Sequence, residues 1–195
     1  MSVAKKIVLS IGFLVVMFAG YGFYANHASG VLNNNTVSVF SWAHVINVGG
    51  QVQSLSADGR EYELMRITAP NEEERARAAG LISQLTPKLN KAYEEYEQAI
   101  QEAPFPSEAD RTQKLARLDK LKQERKSYAA ARQHATDLIN SGDQAGAVNL
   151  AFNEQADVYK RMTDILEEDK ADSVRLARAE MAHSEDVFSG VQMIT

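Results

Sequence analysis

The chain has 195 residues, enough for one domain with its own core, and its 45% apolar and 24% charged residues are those of a folded protein. Lys and Arg number 21 against 26 Asp and Glu; a formal charge of −5 with no basic block excludes a phosphate-tracking surface, so no nucleic-acid partner is expected. The lack of cysteine removes disulfide scaffolds, thiolate metal sites and thiol nucleophiles, while only four prolines and eleven glycines suit a few long helices.

Residues 1–6 read as a short cytoplasmic N-terminus and residues 7–24 as a transmembrane anchor. Ile7–Tyr24 carries no charge. At about 1.5 Å per residue it would span roughly 27 Å, close to the thickness of a hydrocarbon core. Lys5 and Lys6 precede it, whereas Asn26, His27 and Ser29 follow, so the positive-inside rule leaves the N-terminus in the cytoplasm and the remainder outside. Tyr21, Phe23 and Tyr24 fall where an interfacial aromatic belt would form. A cleaved signal peptide is the competing reading. It would have a shorter apolar stretch and a small-x-small cleavage site, which Tyr24-Ala25-Asn26-His27-Ala28 matches poorly.

Residues 25–186 show apolar spacings of three and four, the period of helices packed nearly parallel. The first stripe is Val45, Val48, Val52, Leu55, Gly59, Tyr62 and Arg66; the second is Ala78, Ile82, Leu85, Leu89, Ala92, Tyr96 and Ala99. A weaker third stripe runs through Leu118, Leu121, Arg125, Tyr128, Arg132, Ala135 and Ile139. The fourth holds Ala147, Ala151, Val158, Ile165, Leu176, Ala179 and Val187, and is interrupted by Glu154, Asp169, Asp172 and His183.

Local chemistry separates the stripes. Thr68-Ala69-Pro70-Asn71 ends the first helix, and Asn71 with Glu74 caps the second. Ala103-Pro104-Phe105-Pro106 cannot continue a helix, and Ser107 caps the third. Ser141-Gly142-Asp143 is a stop followed by a fresh cap, with Gly142 free to take a positive φ. Pro87 falls inside the second helix, where the stripe keeps its phase, so a kink rather than an end is expected. The outer helices would reach about 65–70 Å and the middle pair about 50 Å. Short connections make neighbours antiparallel. The fold class is therefore all-α: an up-down-up-down four-helix bundle whose first helix continues the transmembrane anchor. Val187–Thr195 is apolar and uncharged, and residues 187–195 read as the start of a possible second transmembrane helix, an amphipathic surface tail being the other reading.

The Lys-flanked anchor, the Asn71-Glu72-Glu73-Glu74-Arg75 opening, the Ser141-Gly142-Asp143 turn and the helix from Phe152 to Val187 together resemble the four-helix-bundle sensory module of bacterial methyl-accepting chemotaxis proteins. The resemblance covers essentially the whole chain and is one of spacing and turns. It implies a homodimer in the bacterial inner membrane, a bundle in the periplasm or outside the cell, and a small anionic ligand or periplasmic partner protein bound near the membrane-distal end. It also implies a second crossing leading to a HAMP linker and a cytoplasmic signalling coiled coil, and no such part follows in this sequence.

Ligand-binding candidates follow from the same resemblance. Arginines at the distal end of the first helix hold a carboxylate at the dimer interface in relatives, which points to Arg60 and Arg66 here. Bidentate pairing suits guanidinium to that task. Antiparallel pairing sets Asn149, Phe152 and Asn153 at the same height. The competing reading has Arg66 paired with Glu63 or another acid at a solvated bundle end. The charges that interrupt the third and fourth stripes read chiefly as devices that fix register.

No catalytic site, metal site or cofactor is expected. His27, His44, His134 and His183 form no i, i+4 pair, and Met65 and His183 fall at opposite ends of the bundle. No phosphate loop or nucleophile elbow occurs. The sequence thus predicts the sensory module of a chemoreceptor-like transducer without its cytoplasmic output part. A membrane-anchored helical adaptor or scaffold that binds a protein partner is the alternative, and the sensor half of a histidine kinase or cyclic-nucleotide enzyme is a third reading.

Overall fold

The structure, a computed structural model, describes the backbone of residues 3–192 and the side chains of residues 30 and 37–182. Among the described residues every regular element is α-helical and no strand occurs. The helices are α1 (Val3–Thr68), α2 (Glu72–Glu102), α3 (Glu108–Asn140), α4 (Gln144–Phe152) and α5 (Glu154–Gln192). Both apolar segments assigned to the membrane, residues 7–24 and 187–195, lie outside the residues whose side chains are described. Among the described residues no helix is long and apolar enough to cross a membrane.

The helix ends follow the capping chemistry of the sequence. Asn71 takes extended geometry and its side chain accepts from the Glu74 amide at 2.9 Å; three glutamates then occupy the first turn, where the helix dipole favours them. Ser107 accepts from Asp110 N at 3.1 Å, and Asp143 from Gly146 N at 2.8 Å. Gly142 has φ +85, which an L side chain adopts only at a cost. Helix α2 runs through Pro87 without ending.

The fourth helix of the sequence reading is interrupted. Asn153 leaves helical geometry at φ −111 and ψ −86, separating α4 from α5. Its side-chain amide donates to the Asn149 carbonyl at 2.9 Å, a local bond that competes with the helix. The 3.2 Å bond from Asn153 N to Asn149 O and the 3.0 Å bond from Asp157 N to Asn153 O carry the i to i−4 ladder across the break. Helices α4 and α5 therefore count as one member of the bundle, which makes four.

Contacts divide the chain into two units, Ser41–Leu176 and the two ends that flank it. In the flanking unit Val37 and Phe40 of α1 and Met181 of α5 are exposed. Within Ser41–Leu176 all four bundle members supply the core. Helix α1 buries Trp42, Val45, Val48 and Val52; α2 buries Leu85, Ala92, Tyr96 and Ile100; α3 buries Leu118, Leu121 and Ala135; α5 buries Val158, Met162, Ile165 and Leu176. Small residues set the closest approaches. A methyl group added at Gly49 would stand 3.1 Å from the Tyr96 ring, so glycine lets α1 come against α2 there. Ile67, Ala135, Ala147 and Ala151 close the core beside the Thr68 end of α1.

Polar contacts tie the helices at several heights. Helix α1 meets α4 and α5 through Ile67–Gln144, Arg60–Gln155 and Gln53–Glu167. Helix α3 meets α5 through Arg175–Asp110, Arg117–Asp172 and Arg161–Glu124.

Candidate functional site

The two arginines that the sequence singles out take different partners. Arg60 donates to Gln155 Oε1 at 2.8 Å and to the Ala151 carbonyl, so it joins α1 to the fourth bundle member. Arg66 is held by Glu63 at 2.7 Å and Thr136 Oγ1 of α3 at 2.5 Å. Glu63 is itself buried, and pairing is what lets a carboxylate stay there. Asn149 and Asn153 are exposed and bond each other at the helix interruption, and Phe152 is 57% exposed. The structure thus brings Arg60 beside Ala151 and Gln155, while Arg66 pairs with Glu63.

A buried polar cluster lies among α2, α3 and α5. The Lys114 ammonium has no exposure and sits 2.9 Å from Asp169 Oδ2, which is also hydrogen-bonded by the Tyr96 hydroxyl. Lys114 donates further to the Asp169 carbonyl and to Ser173 Oγ, and lies 5.6 Å from the Trp42 ring. Burial lowers the Lys114 pKa, with Asp169 opposing; burial and the neighbouring Asp169 charge push the Tyr96 hydroxyl far up. Such a cluster fixes the register of α5 against α3, because slippage would strand buried charges.

A cavity of about 290 Å³ opens between the helices. Helix α1 lines it with Ser56 and Gly59, and α2 with Thr86, Leu89, Asn90 and Tyr93, the positions around and just after Pro87. Helix α3 adds Arg125, Tyr128, Ala129 and Arg132, and α5 adds Tyr159 and Met162. Two guanidinium groups and three phenol rings face this space, and no carboxylate lines it. Arg125 stacks over the Tyr93 ring at 4.1 Å and donates to the Asn90 side chain. The Tyr128 and Tyr159 rings are 6.2 Å apart and tilted by 52°. The Tyr128 hydroxyl is buried beside the Arg60 guanidinium, and its proton finds no acceptor among the described residues. Burial raises the pKa of Tyr93 and Tyr128, with Ser56 and Arg125 offsetting the first and Arg60 the second, so both stay neutral donors at ordinary pH. A shallower depression lined by Lys122, Arg125, Lys126 and Ala129 shares two residues with the cavity.

A family described as a four helix bundle sensory module for signal transduction matches residues 1–188. The chain belongs to that family. No curated protein and no solved structure matches it.

Sequence spacing reached part of this sensory module's interior. Arg125, Tyr128 and Arg132 stand on the third stripe, at the intervals of three and four that put them on one face. Tyr159, Met162 and Lys114 were missed. Lys114 keeps the stripe's spacing with Leu118 and Leu121, so periodicity was an available signal, but lysine is rarely buried and the residue type concealed it. Among the described residues no three His, Asp or Glu side chains converge in a way that could hold a metal ion.

Proposed function

We propose that this sensory module is the extracytoplasmic part of a chemoreceptor-like transmembrane signal transducer. The observation that carries the reading is the family match across residues 1–188, which takes in the charge-free Ile7–Tyr24 segment together with the bundle. Lys5 and Lys6 ahead of that segment support an N-terminus in the cytoplasm, with the bundle in the periplasm or outside the cell. The cross-helix pairs support an up-down-up-down antiparallel bundle. Residue numbers rise on α1 through 53, 60 and 67 as they fall on its partner through 167, 155 and 144, and α3 runs against α5 in the same manner. The protein acts as a homodimer with no catalytic activity of its own. Its partners are the membrane and a small anionic ligand or a periplasmic protein.

Signalling needs a stimulus that binds one helix arrangement better than another. The polar ties along α5 restrict that choice. Lys114–Asp169 and Arg117–Asp172 cannot be drawn out continuously without stranding charge, so α5 moves by a small shift within these ties, on the order of 1–2 Å, rather than by free sliding.

The absence of cysteine makes the test direct. A cysteine replacing exposed Gln123 should react with a membrane-impermeant maleimide in intact spheroplasts, and one replacing Ser2 only after lysis. Oxidative cross-linking between α5 helices of two subunits, through Lys170→Cys, should then change rate on stimulation. Labelling in the opposite sense, or cross-linking rates that no stimulus alters, would remove the reading.

A further inference from the structure

We propose that the cavity between α1, α2, α3 and α5 is a binding site, complete within one protomer, for a small aromatic carboxylate. The assignment deepens the sensory reading and rests on it for its consequence, since the four bundle members that would respond to a stimulus all line this space. Binding itself stands on the local chemistry.

Charge comes first. Arg125 and Arg132 line the cavity with no acid beside them in its wall. Arg125 is bonded to a neutral partner, Asn90, and Arg132 has no ion-pair partner among the described residues. Arg60 adds a third guanidinium close enough to act on Tyr128 and Tyr159, and its own partners, Gln155 and Ala151, are neutral. The nearby carboxylate of Glu63 also acts on Tyr128, but it is already paired with Arg66. An enclosed space with a surplus of fixed positive charge favours an anion, and planar guanidinium matches a carboxylate edge.

The walls then select the body of that anion. Tyr93, Tyr128 and Tyr159 line the space together with Leu89 and Met162, and Arg125 stacks on the Tyr93 ring. Aromatic pairs in offset or tilted geometry attract beyond what burial alone gives, so a ring is favoured over an aliphatic chain of equal size. The Tyr128 hydroxyl lies beside the Arg60 guanidinium, which can only donate, so its own proton is left for a carboxylate oxygen to accept. A volume of about 290 Å³ suits a single substituted ring. Lys126 in the adjoining depression adds positive charge beside the cavity, Lys122 there being paired with Glu97.

Benzoate is the probe, titrated into the full chain in detergent by calorimetry, with benzyl alcohol as the uncharged control and acetate as the ringless one. Benzoate should bind at least tenfold more tightly than either. Arg132→Gln should weaken benzoate at least tenfold. Ala129→Phe, at an exposed position on the cavity wall, should abolish binding by filling the space while thermal unfolding stays near that of the parent. No benzoate binding, equal binding of either control, or affinity unchanged in both variants would overturn the site. The two readings fail separately. Benzoate binding together with α5 cross-linking that no stimulus alters removes the sensory reading and keeps the pocket; cross-linking that answers another stimulus while benzoate does not bind removes the pocket alone.

Discussion

At the scale of single residues, the most consequential interior group is a lysine. Lys114 is enclosed by Asp169, Ser173 and Trp42, which give its ammonium three acceptors and a π face. Taking both charges out of water is costly, and removing one alone leaves the other uncompensated. Lys114→Met should therefore lose about 3–5 kcal/mol of stability in urea denaturation. Adding Asp169→Leu should restore much of that loss, and a double variant no better than the single would argue against the pair as the cause. Trp42, the sole tryptophan, packs edge-on to Phe105 at 5.2 Å and gives a fluorescence signal from beside this cluster.

At the scale of elements, turns and caps were legible because they depend on neighbours in sequence. Asn71, Ser107 and Asp143 each accept from the amide three residues on, and Gly142 alone among the described residues has a positive φ. Asn71→Ala should cost about 1 kcal/mol and Gly142→Ala about 1–2 kcal/mol, read as lowered thermal midpoints. The interruption at Asn153 was not legible. No proline or glycine marks it, and helix and local side-chain bond compete so closely that packing decides. Pro87 shows the converse: a residue that usually ends helices sits inside α2, where the tertiary contacts of Leu85, Tyr93 and Tyr96 outweigh one missing amide bond.

At the scale of the whole molecule, burial of several tyrosines sets how the bundle responds to alkali. Tyr93, Tyr96, Tyr128 and Tyr159 all have folded pKa values raised above 10.0, mainly by burial. The unfolded chain therefore releases these protons first. Their contribution is complete below pH 10.0 and is lost as pH rises from there toward the folded values. Lys114 works in the other sense: its folded pKa lies below 10.5, so it adds stability as pH climbs toward 10.5. Urea midpoints should fall between about pH 10 and about pH 11.5, less steeply in Tyr96→Phe, and Lys114→Met should lack the opposing rise.

The sequence by itself determined the helical period, the breaks between helices, the caps, the family and the charge-free segment near the N-terminus, because each is written in residues close together along the chain. Only the tertiary structure decided that Arg60 and Arg66 take different partners, that Lys114 and Asp169 meet in the core, and that three tyrosines and two arginines from α2, α3 and α5 surround one cavity. Those outcomes depend on which faces of distant helices are pressed together, and a repeat of three and four says that a face exists without saying what it will meet.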